Sequence, residues 1–130
     1  TFGKQGWVTA TFQPLNHYAY KKVNINKLIN GKKYIEINNI TKSNYEPKII
    51  INNLGTEDKT IRIGDLLLKG IKTNENVTID NYLCSIHGDV SGNLLSNSNR
   101  EWLVLKPGIN KILVDGNMFI NILCEFPMII

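Results

Sequence analysis

The sequence predicts an all-β protein, an antiparallel two-sheet β-sandwich without a substantial helix. Apolar residues recur mainly at every second position, which is the period of a half-buried strand. Turn-forming residues interrupt these runs at intervals of about 8–12 residues, and no segment combines helical spacing with helix-capping residues. A chain of 130 residues fits one domain, which buries roughly two-thirds of its unfolded surface.

The first half of the chain is predicted to form strands separated by turns. An alternating run at 7–12 is followed by two further runs, 23–25 and 34–37, which flank Asn30-Gly31. Asn-Gly between such runs predicts a two-residue hairpin, because both central residues of that turn need positive φ. The continuous apolar run 48–51 predicts a central strand that is buried on both faces.

The second half is predicted to continue this pattern. Gly64-Asp65 and Pro107-Gly108 are interpreted as turns, and Asp115-Gly116 as a hairpin turn. The Gly/Ser/Asn-rich stretch 88–99 is interpreted as a loop. Further strands are expected at 60–63, 76–79, 82–86, 102–105, 109–114 and 118–124.

Charge and cysteine content argue against several classes of function. The net charge is +4, but 13 of the 15 basic residues are scattered lysines, whereas nucleic-acid binders cluster Arg and Lys on one face. Nucleic-acid binding is therefore not expected. No apolar run approaches the ~20 residues of a membrane-spanning helix, so no membrane span is expected. Cys84 and Cys124 are interpreted as buried free thiols, with a disulfide between them as the alternative.

No set of residues predicts a catalytic or metal site. His17 and His87 are the only histidines, and on an alternating strand Cys84 and His87 point to opposite faces. A zinc or iron site needs three or four converging ligands. Asp80 is expected to bond its own backbone in an Asx-turn. We therefore expect no enzyme, no metal and no cofactor. A hydrolase or metalloenzyme would require His17 or His87 to meet carboxylates in a cleft.

Carbohydrate binding remains an alternative because of the aromatic residues. Sugar-binding sandwiches stack the faces of pyranose rings on exposed Trp or Tyr side chains. If the chain binds a host cell-surface glycan, the expected stacking residues are Trp7, Tyr18, Tyr20 and Tyr45. Trp102 lies in an apolar run and is interpreted as a core residue.

Several short motifs follow one another along the chain. They are the aromatic-ended strand 9–12, Glu46-Pro47 before an apolar strand, Thr78-Ile79-Asp80, and Trp102 to Asn110 with its Leu-Lys-Pro-Gly-Ile-Asn ending. Their order resembles the C-terminal domain of the distal tail protein of long-tailed (siphovirus-type) bacteriophages, a family also found in prophages. At Tyr82-Leu83-Cys84 the chain departs from the family, which often carries charged residues there.

The resemblance implies a galectin-like sandwich, similar to carbohydrate-binding modules, that spans residues 1–130 as the C-terminal domain of a longer tail protein. It implies a structural role in the virion tail, which is assembled in the cytoplasm of the bacterial host. The partners would be other tail-tip proteins, and an N-terminal domain of the parent would form a homohexameric ring. The family has no catalytic residues or cofactor.

Partner contact is expected in the loop 88–99, because nothing in the predicted fold requires that segment. The residues expected to make this contact are Asn93, Leu94, Asn97 and Asn99.

Overall fold

Antiparallel strands make up most of the molecule, as seen in a computed structural model that describes residues 18–129. The strands are β1 (Tyr18–Asn39), β2 (Lys48–Asn53), β3 (Ile61–Ile63), β4 (Leu66–Leu68), β5 (Asn76–Asp80), β6 (Ser85–Gly88), β7 (Gly92–Asn93) and β8 (Gly108–Ile129). One turn of 3-10 helix at Leu95–Asn97 is the only helical segment in this part of the chain. The predicted all-β, antiparallel class is therefore confirmed for the described residues.

Two strands of 22 residues, β1 and β8, form the longest ladder of the sheet. They pair along their whole length, from Tyr18 opposite Ile129 to Asn39 opposite Gly108. On its other side β8 pairs first with β3 and further along with β2. The sheet order is β4-β3-β8-β2-β5-β6-β7, with β1 also on β8. A single long strand thus holds both parts of the sheet together.

Two glycines face each other in the middle of this long ladder. Gly31 pairs with Gly116, and both have positive φ, 92° and 152°. Without a Cβ the two residues allow both strands to bend at the same place. The predicted hairpins at Asn30-Gly31 and Asp115-Gly116 are therefore wrong. The flexible positions curl a continuous ladder and do not reverse the chain.

Alternation of buried and exposed residues continues through the bend. On β8 the even-numbered residues face inward on both sides of it, as at Val114 and Met118, and on β1 the odd-numbered Ile29 and Ile35 do so. Buried side chains from both halves belong to one apolar cluster. The curled sheet therefore encloses one hydrophobic core.

The apolar run at the start of β2 is central in the sheet but is not buried on both faces. β2 pairs with β5 on one side and β8 on the other. Ile49 and Ile51 are fully buried, whereas Ile50 is 36% exposed on the opposite face. The prediction of two-sided burial is wrong, because three successive isoleucines do not show whether a second layer covers the outer face.

Two predicted strands are irregular segments. The residues after Asp80 form a turn, and β6 begins only at Ser85. The stretch 101–104 has no strand pairing, and Leu105 makes an isolated bridge with Tyr45. Both cysteines are free thiols, as predicted, but only Cys124 is buried. Cys84 is exposed at positive φ because it ends the turn and is not part of a strand.

Candidate functional site

The segment 88–99 is part of the fold and is not a free loop. It contains β7 and the 3-10 turn, and Ser98 bridges Leu68 of β4. Leu94 is only 2% exposed, and its backbone N–H donates to the carbonyl of Ile86 at 3.0 Å. The expectation that nothing in the fold requires this segment is therefore wrong.

Asparagine side chains of this segment close the outer edge of β4. The backbone N–H of Leu67 donates to Oδ1 of Asn99 at 2.9 Å, and Nδ2 of Asn97 donates to the carbonyl of Lys69 at 3.1 Å. Asn93 accepts a hydrogen bond from a backbone N–H within its own segment, at 2.9 Å. Such side chains satisfy backbone groups that would otherwise lie free at a sheet edge. Contact of these residues with a partner stays a prediction.

A buried carboxylate anchors the beginning of the segment. Glu75 is fully buried, and its oxygens accept hydrogen bonds from the backbone N–H groups of Lys72 and Val90, at 3.0 and 3.1 Å, and from Ser91. Burial raises the pKa of Glu75, but the hydrogen bonds outweigh it and hold the pKa below its usual value. A Cβ at Gly88 would collide with this carboxylate. The ionised carboxylate of Glu75 therefore has a structural role, because it satisfies backbone donors at the beginning of the segment 88–99.

Three of the segments that carry the sequence motifs come together at the side chain of Asn81. This residue is 2% exposed. Its Nδ2 donates to the carbonyl of Pro47 at 2.7 Å, and its Oδ1 accepts from the backbone N–H of Leu103 at 2.8 Å. The preceding Asp80 accepts from the backbone N–H of Leu83 at 3.0 Å, so it bonds its own backbone as predicted, but one residue further along the chain than in an Asx-turn. One amide thus connects three segments that are far apart in sequence.

The Leu-Lys-Pro-Gly-Ile-Asn motif is held at both ends. At its start, Leu105 exchanges two backbone hydrogen bonds with Tyr45, at 2.7 and 2.9 Å, and accepts a third from Nδ2 of Asn39 at 3.0 Å. At its end, Asn110 bonds both backbone groups of Lys106, at 3.0 and 2.8 Å. The motif is therefore a bend with both ends fixed by hydrogen bonds. Leu105 is bonded to Tyr45 and Asn39, and the side chain of Asn110 is bonded to the backbone of Lys106.

Of the four predicted stacking residues, the structure describes the side chains of Tyr20 and Tyr45. Trp7 lies outside the described residues, and so does the side chain of Tyr18. Tyr20 is 62% exposed on β1. The hydroxyl of Tyr45 accepts from the backbone N–H of Glu125 at 2.8 Å, and its ring packs edge-on against that of Phe126 with 5.0 Å between ring centres. Burial raises the pKa of Tyr45. This residue packs against the hydrophobic core and is held to β8 through its hydroxyl.

A groove of about 450 Å³ brings together residues that the sequence analysis did not connect. Two aromatic residues, Tyr34 and Trp102, line it together with three basic residues, Arg62, Lys106 and Lys111. We call this site the basic groove. Tyr34 is 66% exposed. Alternation with the buried Ile35 was the signal that could have placed Tyr34 on the outer face.

The turn after β5 displays two apolar side chains. Tyr82 and Leu83 are 74% and 66% exposed. The turn is anchored by the Asp80 and Asn81 hydrogen bonds described above. The Sγ of Cys84 also lies 3.6 Å from the carbonyl of Asn81. Because residues 82–86 were predicted to form a strand, the exposure of Tyr82 and Leu83 was not expected.

The described residues offer no cluster of three or more His, Cys, Asp or Glu that is suited to hold a metal ion. His87 is exposed on β6, and His17 lies outside the described range. Within that range no helix is long and apolar enough to cross a membrane.

Comparison with protein-family models, curated proteins and solved structures finds no significant match.

Proposed function

We propose that this chain is a structural interaction domain of a phage or prophage tail tip, belongs to a distal tail protein and has no enzymatic activity. The convergence of the resembling motifs on Asn81 carries this proposal. Pro47 and Leu103 belong to two of the motifs, and both hydrogen-bond the side chain of Asn81, which directly follows Asp80 of a third motif. Residues used in this way specify an architecture and leave no group poised for a reaction.

We propose further that the curled sheet is a galectin-like sandwich whose two layers share β1 and β8. The facing glycines Gly31 and Gly116 support this, because a strand that passes from one sheet to another needs a bend at the corner. The shared apolar cluster also supports it, since side chains of both halves pack into one core.

The partner is another tail-tip protein, and its proposed contact includes the turn that displays Tyr82 and Leu83. Tyrosine is frequent among the residues that dominate binding energy at protein interfaces. The Asp80 and Asn81 hydrogen bonds hold the turn in one conformation, so little backbone entropy is lost on binding. The parent protein would be a homohexamer in the virion tail, assembled in the bacterial cytoplasm, through an N-terminal domain.

Co-expression of the full-length parent with the products of neighbouring genes tests this function. We expect light scattering to give a hexamer that co-purifies with a second tail component. Tyr82→Ser combined with Leu83→Ser should weaken that complex by about thirtyfold or more. Ile109→Ser, which changes an apolar residue that is 67% exposed at the start of β8, is the matched control and should bind normally. A monomeric parent without any tail partner would contradict the proposal.

A further inference from the structure

We propose that the basic groove binds an anionic saccharide, whose sugar ring stacks on the aromatic residues and whose acidic group is held by the cations. This assigns a ligand site that the proposed structural role does not include. It rests on different residues from the partner contact, so each proposal can fail without the other.

The aromatic residues of the groove suit a ring-shaped ligand. Tyr34 points outward from β1 beside Leu113, its partner on β8, which also lines the groove. Trp102 is half-buried and packs against the core, so its ring is held in place before any ligand arrives. Fixed aromatic faces stack on the apolar faces of sugars at little entropic cost.

The charged residues of the groove favour an acidic group on that ring. Three cations line it, and Asp65 is the one acid among its described lining residues. The Nη1 of Arg62 donates to the carbonyl of Gly64 at 3.1 Å, which orients the guanidinium and leaves further N–H donors free. Ion pairs among the described residues, Lys22–Glu125 and Lys72–Glu57, lie elsewhere. Glu36 and Asp115 lie opposite Lys111 and Arg62 on neighbouring strands but form no ion pair with them, so these cations remain able to bind a carboxylate or phosphate.

The size of the groove and its aromatic content favour a saccharide over a nucleic acid. A volume of about 450 Å³ accommodates a small ligand. Single-stranded nucleic acids are bound by a row of aromatic side chains along an extended basic track. The groove has two aromatic residues in one place, and lysines elsewhere are scattered along the chain.

Calorimetric titration of the full chain with three matched probes tests the proposal. Tetragalacturonic acid supplies both ring and charge, its methyl ester supplies the ring alone, and poly(glycerol phosphate) supplies charge alone. We expect the free acid to bind at least tenfold more tightly than either of the other two. Its affinity should fall as salt is raised, because part of the attraction is between exposed charges.

Variants at exposed positions locate the site. Tyr34→Ala and Lys111→Gln should each weaken binding about three- to tenfold. Phe119→Ala is the matched control, since it changes another exposed aromatic residue of the long ladder outside the groove, and it should leave affinity unchanged. Circular dichroism would verify that all variants are folded.

Four results would overturn the proposal. They are no binding of tetragalacturonic acid at 1 mM, equal binding of the methyl ester, tighter binding of an oligouridylate, or an equal loss of affinity in Phe119→Ala.

Discussion

Replacement of Asn81 by alanine tests whether one buried amide joins the motif segments. The substitution removes a donor to the carbonyl of Pro47 at 2.7 Å and an acceptor for the N–H of Leu103 at 2.8 Å. Both bonds are buried, so water does not readily replace the lost partners. Each unsatisfied buried group costs about 1–3 kcal/mol.

Two such groups would cost about 2–6 kcal/mol, and the expected loss in the free energy of unfolding is about 3 kcal/mol, in the lower half of that span. The carbonyl of Pro47 keeps a long hydrogen bond from the backbone N–H of Asn81, at 3.4 Å, which limits the penalty on that side. Against a total stability of about 5–15 kcal/mol for a domain, such a loss is large. It corresponds to a fall in Tm of roughly 10 °C for a chain of this length.

Urea unfolding followed by circular dichroism measures this loss. Asn38→Ala is the matched control, because it removes an exposed asparagine from a strand and should change stability by less than about 0.5 kcal/mol. The midpoint for Asn81→Ala should move while the slope stays the same. A loss below about 1 kcal/mol would refute the idea that this amide holds the three segments together.

Three further predictions concern the buried Glu75, the bend at Gly31 and the two cysteines. Glu75→Gln should destabilise the fold by about 2–3 kcal/mol, because an amide NH2 would face backbone donors. The folded-state pKa of Glu75 is lowered, so its stabilisation is present above the unfolded-state pKa and is lost as pH falls through the folded-state value; acid titration of stability should therefore be flatter in Glu75→Gln. Gly31→Ala should cost about 1–2 kcal/mol in thermal unfolding because of its φ of 92°, and Gly31→Asn less; equal stability of all three proteins would exclude a strained bend. Iodoacetamide should label exposed Cys84 quickly and Cys124 only on unfolding, since burial raises the pKa of Cys124 to about 11; two fast thiols by mass spectrometry would contradict this.

Local pattern predicted the core of this protein well. Alternation placed Ile35 and Ile37 in one strand and Ile61 and Ile63 in another, and all four are buried. It works because successive side chains of a strand point to opposite faces wherever the strand pairs. The same rule explains why strands 76–79 and 118–124 were expected close to where they lie.

Prediction failed where a residue's role depends on what lies opposite. Gly31 and Gly116 have the conformational freedom of turn residues, but their mutual pairing makes them a bend in a ladder. Leu83 and Cys84 are apolar enough for a strand, but the turn in which Asp80 bonds the backbone of Leu83 takes them out of the sheet. Local preference states what a residue tolerates, and its partners select among those conformations.

The candidate sites show the same limit. Asn97 and Asn99 were expected in a free loop, and their role at the edge of β4 depends on a contact about thirty positions away. The basic groove was not predicted because Tyr34 and Trp102 belong to different segments and meet only in the folded chain. No spacing along the sequence indicates such a meeting.

The all-β class and the alternation of inward- and outward-facing residues along the long strands could be predicted from the sequence alone. These follow from side-chain chemistry and a period of two, which act over a few neighbouring residues. Three outcomes depend on tertiary contacts. The two predicted hairpin turns pair with each other as one bend, the polar segment 88–99 closes the edge of β4, and three cations lie beside Tyr34 and Trp102 in the basic groove. Each of these outcomes needs segments distant in sequence to satisfy one another's backbone groups or to share one surface, and local patterns carry no record of such pairings.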